Sequence, residues 1–395
     1  MKPKVVIIGY GFTTRLGLIR SLSQITDQIS IIVIEHDKSK PIDCYSKYVR
    51  HYYRTGSEES KILQILKDNC TDDNQKVILI PTNDYAVTIL DKNIDSLKKD
   101  FLFSNIGFQP GSIIEWMNKE KQKEQAKKVG LNVVNSINVE IKDSKYVFPN
   151  RVNYPCFTKT RSCITTGYKH TLRQCNDENE LRESLDFIAS KFHDLTVMVE
   201  DFKVITTEFA VVGFSNGTEV IIPGVIKILK MAKGVYKGLA CQGKIIPVSG
   251  YEDLVNKFKE LILSIGFVGL FDIDFYYSDN DYYFGEINMR MGGSGYAVSK
   301  MGVNLPVMFV KFLSGESLDD MKKEIDGSAT FVNERICSDD WYKGLLSTRD
   351  FCHMLRASQI SFLRDENDKK PEKVFNTSIR RLWLKRTIKK LIRKV

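Results

Sequence analysis

The sequence predicts a chain of α/β and α+β character: an open parallel α/β unit at the amino terminus, a body containing antiparallel hairpins, and a helical extension at the carboxyl end. Three observations carry this reading. Apolar runs at 5–8 and 29–34 alternate with a helix-like stretch from about 14 to 24, the pattern of parallel strands covered by helices. Residues 267–277 are β-branched and aromatic, 278–281 form a polar turn and 282–288 return as a second strand, which makes an antiparallel hairpin. Near the end, Ile379, Leu382, Trp383, Ile388, Leu391, Ile392 and Val395 recur at three- and four-residue steps, giving a helix with one apolar face.

A length of 395 residues with 43% hydrophobic content allows two to four packed domains. No apolar run approaches the roughly 20 residues that span a bilayer, and the stretch after Met1-Lys-Pro-Lys is too short for a signal peptide. A cytoplasmic protein is therefore expected. The eight cysteines (Cys44, Cys70, Cys156, Cys163, Cys175, Cys241, Cys337, Cys352) include no Cys-x-x-Cys pair, so reduced structural thiols are expected rather than zinc or disulfides. The net charge of +9 is concentrated in 378–395, where Arg380, Arg381, Lys385, Arg386, Lys389, Lys390, Arg393 and Lys394 stand without an acid. The body is nearly neutral, and no nucleic-acid motif accompanies the tail, so no nucleic-acid partner is expected. A basic helix with an apolar face suits either an anionic membrane surface or packing on its own protein.

In the amino-terminal unit, Gly9-Tyr-Gly11 ends the first strand, where glycine lets backbone approach a ligand. A dinucleotide site is the obvious alternative there, with Glu35 ending the second strand as a ribose acid, but Thr14 stands where a third glycine belongs. A further strand, 76–80, leads into Pro-Thr-Asn-Asp84.

The hairpin is richest in chemistry. Glu286 and Asn288 are two apart, so both leave one face of the returning strand, Arg290 follows them, and Asp274 can meet them from the other strand. Two carboxylates and an amide oxygen suit magnesium, a hard cation that completes its shell with phosphates and water. Arginine beside them could hold a phosphoryl oxygen. The pattern Glu-x-Asn-x-Arg, preceded by Asp-Phe at this spacing, resembles the metal-binding hairpin of the ATP-grasp superfamily.

That resemblance extends over four ordered matches, from Lys119 to Arg290. Asn118-Lys119, in a helix expected over 113–129 and followed by Gly130, resembles the pattern whose lysine reaches the nucleotide phosphates; Lys121 and Lys123 are alternatives. Asn153-Tyr-Pro-Cys-Phe-Thr-Lys159 resembles the strand whose lysine contacts the α- and β-phosphates. The loop after it departs from the family: Thr160-Arg161 to Lys169 holds one glycine, Gly167, where several usually cover the phosphates. In Val197-Met-Val-Glu200-Asp-Phe-Lys-Val-Ile-Thr-Thr-Glu208, the resemblance implies that Asp201 and Phe202 form a hinge passing adenine through backbone atoms, flanked by Glu200 and by a ribose-binding Glu208.

The resemblance implies 1–110 as a Rossmann-like domain that precedes the nucleotide site, 111–195 as the small ATP-grasp subdomain, 196–315 as the central domain with the metal hairpin, and 316–395 as an extension outside that core. It implies ATP with magnesium, or manganese, held by Asp274, Glu286 and Asn288, with Lys119, Lys159 and Arg290 offsetting phosphate charge. The activity implied is an ATP-dependent ligase that joins a carboxylate to an amine through an acyl phosphate, acting on small-molecule substrates. The 341–344 segment and tail resemble D-aspartate ligase-like proteins, which points to an amino acid joined to a cell-envelope glycan or peptide precursor, with the helix touching the inner membrane face or a lipid-linked precursor. Alternatives are carbamoyl-phosphate-synthase-like phosphorylation of a carboxylate and a non-catalytic nucleotide-binding module. The glycine-rich 292–300 segment and Lys227, Lys230, Lys233 and Lys237 are candidate acceptor contacts, and self-association stays open.

Overall fold

The structure, a computed structural model, describes residues 1–35, 39–161 and 171–392. The chain opens with β1 (Val5–Gly9), α1 (Phe12–Leu22), β2 (Ile29–Val33), a 3₁₀ turn (Ile42–Tyr45), β3 (Val49–Arg54), α2 (Glu59–Asn69), β4 (Val77–Pro81), α3 (Asp84–Lys92), α4 (Ile94–Leu97) and β5 (Phe101–Leu102). The five strands are parallel, in the order β3-β2-β1-β4-β5. Both faces of this sheet are covered, which is why β1 and β4 are apolar at every position rather than at alternate ones. Val6, Ile8 and Leu79 pack on Leu66 and Ile89 on one side, while Val5, Ile7 and Ile80 on the other share a core with the central sheet. Strand order reverses between β1 and β4, so the loops that follow them flank a topological switch point.

Next come β6 (Asn105–Ile106), α5 (Ser112–Trp116) and α6 (Lys119–Lys128). The single helix expected over 113–129 is broken in two. Asn118 has extended backbone and its side-chain oxygen accepts from the Glu120 and Lys121 N–H groups, an N-cap that makes Lys119 the first residue of α6. A small antiparallel sheet follows, β7 (Ser136–Ile141), β8 (Cys156–Thr160), β9 (Arg173–Cys175) and β10 (Leu195–Asp201), in the order β7-β10-β8-β9. Helix α7 (Glu178–Lys191) backs it, setting Leu181, Leu185 and Ile188 against Val139, Cys156 and Val199.

The central sheet is built from β11 (Thr207–Asn216), β12 (Val220–Ile221), β13 (Val225–Met231), β14 (Ala240–Ile246), β15 (Phe267–Ser278) and β16 (Asp281–Asn288), with α8 (Glu252–Ile265) across one face and α9 (Gly295–Lys300) and α10 (Leu305–Leu313) toward the other. The hairpin of β15 and β16 turns at Asp279 and Asn280, both at positive φ, and carries a register shift next to Asp274.

Residues 316–395 do not stand outside this core. β17 (Ala329–Val332) pairs with β14, and after α11 (Glu334–Lys343) and α12 (Thr348–Ala357), β18 (Ile360–Ser361) pairs with β17, so the extension covers what would otherwise be an open sheet edge. Buried Arg20 of α1 fastens it further, donating to the Phe362, Leu363 and Asp368 carbonyls at 2.9 to 3.0 Å and to the Asp368 carboxylate at 3.1 Å. In α13 (Lys369–Ile392), Phe375 is buried and Ile379 packs on the body, while Trp383 and Leu384 are exposed. The apolar face of the tail is thus used by the protein at its start; the side chains of 382 and 385–392, and residues 393–395, lie outside the described residues. Among the described residues no helix is long and apolar enough to cross a membrane. Seven cysteines are free thiols; Cys163 lies outside the described residues.

Candidate active site

The small sheet and the central sheet are joined by residues 202–206, so Glu200 closes β10 on one side of a cleft and Glu208 opens β11 on the other. Lys159 on β8 lies across from Met198 of β10 and turns its ammonium to Glu200, 2.8 Å away. Lys123 of α6 reaches the other oxygen of the same carboxylate and donates to the Val134 carbonyl at 3.0 Å. Burial pulls the Glu200 carboxyl upward, but the two ammoniums outweigh it and hold it below its usual range. One carboxylate cannot balance two enclosed cations. Burial therefore lowers Lys123, the deeper of the pair, to about 8.

On the hairpin, Asp274 stands opposite Glu286, and Asp272 opposite Asn288. Asn288 Nδ2 donates to Asp274 at 3.2 Å, Arg290 donates to Asn288 Oδ1 at 3.3 Å, and Lys119 lies 2.6 Å from Glu286. Burial raises Asp272 to about 7 and Asp274 well above its ordinary value, with the neighbouring carboxylates adding to the latter. Asp274 is surrounded by protein yet open by surface area to the cleft, so water there moderates its shift. Glu286 goes the other way, because Lys119 overcomes the upward pull of burial. Among the described residues no three His, Cys, Asp or Glu side chains form a metal cage on their own. Two carboxylates and an amide oxygen do fit magnesium, which takes part of its shell from phosphate and water, and the surrounding lysines fit those phosphates.

Six of the expected residues, Lys119, Lys159, Asp274, Glu286, Asn288 and Arg290, thus meet in direct pairs around the cleft, with Glu200 at its edge. The other expected residues have surroundings of their own. The N–H groups of Asp201 and Phe202 donate to the Asn135 and Pro155 carbonyls at 3.1 and 3.0 Å. A donor to adenine from this hinge would thus come from a later residue such as Lys203 or Val204. Glu208 is half-buried, and desolvation raises its carboxyl. Arg161 pairs with Glu120 at 3.7 Å, while Gly167 and Lys169 lie outside the described residues. In the loop between β13 and β14, the Lys233 and Gly234 N–H groups donate to Asp340 of α11, which ties that loop to the extension. A Cβ on Gly292 would fall 1.3 Å from an oxygen of Asp272; a carboxylate already fills the hollow of that turn, which makes it a poor cradle for an anion.

The dinucleotide alternative fails on local geometry. Gly11 N–H donates to Glu35 at 3.0 Å, and Arg15, buried, donates to the Gly9 carbonyl at 2.6 Å while pairing with both Glu35 and Asp43. The backbone donor that a pyrophosphate would need is on a carboxylate instead.

Reading the sequence gives two residues of this neighbourhood no site role and a third only as an alternative. Asp84, one residue past the capping position of α3, pairs with Arg290 Nε at 2.8 Å; its place at the carboxyl end of β4 was the available signal. Asp272 lies on the same strand face as Asp274. Lys123 stood only as an alternative to Lys119, four residues and about one helical turn away.

No family model matches the sequence. A curated relative, the carboxyl-terminal section of the carbamoyl phosphate synthase large chain of Aquifex aeolicus, is 26% identical over 239 residues, covering 58% of this chain and 44% of that protein. The match therefore spans less than half of that relative's length. Among solved structures, N5-carboxyaminoimidazole synthetase from Staphylococcus aureus, complexed with ADP, superposes with a TM-score of 0.61 at 16% identity, over 84% of this chain and 82% of that one. L-amino acid ligase from Bacillus licheniformis gives 0.61 at 14%, over 83% and 79%. The chain has the ATP-grasp fold. The paired lysines and carboxylates described above stand between the small and central sheets of that fold.

Proposed function

We propose that the protein is an ATP-dependent ligase that joins a carboxylate to an amine, using ATP with magnesium, or manganese in its place. The observation that supports this most is the convergence, from α6, β8 and the segment of β16 with the residues just after it, of Lys119, Lys159, Glu286 and Arg290 on one cleft, each cation resting on a carboxylate. Asp274, Glu286 and Asn288 would hold the metal, whose charge would stabilise the phosphates. Lys119 and Lys159 would exchange their present carboxylate partners for phosphate oxygens, and Glu208 would accept from the ribose hydroxyls. A carboxylate oxygen of the substrate attacks the γ-phosphorus, ADP leaves, and an acyl phosphate forms. The amine nitrogen then attacks the acyl carbon, the carbon–oxygen bond to phosphate breaks, phosphate departs, and the nitrogen loses a proton to give the amide. The chain's residues act by positioning and by neutralising charge.

The finer reading is an amino acid joined to a cell-envelope glycan or peptide precursor, with the basic end of α13 resting on an anionic membrane face. A second reading, phosphorylation of a small carboxylate without an amine acceptor, is favoured by the curated similarity to carbamoyl phosphate synthase. ADP release with magnesium and ATP, across D- and L-amino acids with and without amino-sugar acceptors and, separately, with bicarbonate, separates them: amino-acid stimulation supports a ligase, bicarbonate stimulation the second reading. In either case Glu286→Ala is expected to lower magnesium-dependent ADP formation at least 100-fold. Wild-type rates in a folded Glu286→Ala protein would refute the metal assignment.

A further inference from the structure

The end of the hairpin formed by β13 and β14 carries apolar side chains that the fold does not bury. Leu229, Val235 and Leu239 are 47%, 56% and 51% exposed. Leu345, in the turn after α11, is exposed as well, and its δ-carbon lies 3.2 Å from where a Cβ on Gly234 would be, so it borders the same loop. Single exposed apolar residues need no explanation, whereas several together on a surface mark a contact.

Charge says what kind of contact. From 220 to 251 the chain holds Lys227, Lys230, Lys233, Lys237 and Lys244 and no Asp or Glu, and Lys227, Lys233 and Lys237 are exposed. Asp340 of α11 faces this loop, but it is 3% exposed and accepts from the Lys233 and Gly234 N–H groups at 2.7 and 2.8 Å, so its charge is turned inward. The loop is fastened to the body through the same helix: Tyr236 lies under the Arg335 guanidinium, 5.3 Å from it, and packs on the cluster around Trp341. Ile379 of α13 packs on that cluster too. Two basic segments with exposed apolar side chains therefore leave the body from around α11, the loop with Val235 and Leu239 and the tail with Trp383 and Leu384. Lysine and apolar residues interleave along the loop, as Lys233, Val235, Lys237 and Leu239. Such interleaving suits an anionic bilayer, where ammonium groups meet the headgroups while apolar side chains and lysine stems reach the acyl boundary.

We propose that residues 229–239 are a second membrane contact, setting Val235 and Leu239 into the headgroup boundary of an anionic bilayer with Lys233 and Lys237 on its headgroups. It rests on the membrane contact read above for α13 and adds a second footing to it. One weak anchor gives marginal, reversible binding and stable attachment takes two, so loss of either the loop or the tail should release the protein.

Sedimentation of the full chain, without nucleotide, with vesicles of phosphatidylcholine and phosphatidylserine in equal parts tests this. The wild-type protein should sediment with them and stay in solution with phosphatidylcholine alone. A lysine near such a surface contributes roughly fivefold in affinity, so Lys233→Glu combined with Lys237→Glu should weaken binding about 10-fold or more. Val235→Ser combined with Leu239→Ser should weaken it by a similar factor through the apolar side chains alone, and both double variants should keep the thermal midpoint of the wild type. In a Trp383→Phe background, the fluorescence of Leu239→Trp should shift to the blue when the acidic vesicles are added. Wild-type sedimentation by either double variant, or an unmoved emission, overturns the loop contact while leaving the tail its own. Wild-type protein that ignores acidic vesicles overturns loop and tail together. A protein that sediments as expected yet forms no ADP with any substrate keeps this inference and overturns the ligase reading instead.

Discussion

Replacing Glu200 by glutamine removes the counter-charge of two lysines at once, and the structure sets the size of the effect. At an effective dielectric of about 20, a carboxylate and an ammonium as close as Lys159 and Glu200, at 2.8 Å, attract by about 6 kcal/mol before desolvation is subtracted. The measurable quantity is smaller, because breaking a buried pair costs about 3–5 kcal/mol, mostly through the charge left behind. Lys159 has a side chain 17% exposed and can turn to water, whereas Lys123, at 6%, keeps only the Val134 carbonyl. We therefore expect the lower end, about 3 kcal/mol at pH 7. The loss should shrink at pH 9, because Lys123, at about 8, is already mostly neutral in the wild-type protein there. Urea unfolding of Glu200→Gln at both pH values reads this, and adding Lys123→Met to Glu200→Gln should restore at least half of the loss at pH 7. A loss under about 1 kcal/mol at pH 7, or an equal loss at both pH values, would refute the shared counter-charge.

The same lysine makes a second prediction in the unsubstituted protein. Its folded value, about 8, lies below the 10.5 of an unperturbed lysine, so the unfolded chain binds more protons between these values and the burial cost present below pH 8 fades as pH rises toward 10.5. Relative to Lys123→Met, the wild-type protein should gain up to about 3 kcal/mol across that window; parallel pH profiles would count against it. Arg20→Ala should cost about 3–5 kcal/mol in denaturant unfolding, because it leaves Asp368 and three carbonyls buried without their cation; a loss below about 1 kcal/mol would mean the extension is held by its strands and apolar contacts alone. Truncation after Arg381 keeps Phe375 and Ile379 in place, so it should leave thermal stability unchanged while abolishing sedimentation with phosphatidylserine vesicles, and undiminished sedimentation would remove the membrane role of the tail.

Local pattern was enough for much of this protein. The β-branched and aromatic run at 267–277, the polar turn and the returning strand marked the hairpin, and the two-residue spacing of Glu286 and Asn288 put both on one face, because strand geometry alone dictates it. The pattern places Asn118 inside one helix over 113–129, and the structure shows instead that its side chain caps its own neighbours and starts a second helix there. Other features depended on residues distant in sequence. Lys123 reads like any lysine on a wet helix until α6 is laid beside β10 and its ammonium meets Glu200, 77 residues away. Asp84 and Arg290 are 206 apart, and only the docking of the amino-terminal sheet against the hairpin brings them together. The extension looked like an appendage because β17 and β18 are 4 and 2 residues long, too short to declare themselves; the pairing of β17 with β14, and of β18 with β17, is a matter of which edge was free. Periodicity is a property of a few consecutive residues, so the sequence alone determined the hairpin, the first parallel strands and the face that Glu286 and Asn288 share. Charge pairing and edge pairing require two segments to meet, and that was decided by the tertiary structure.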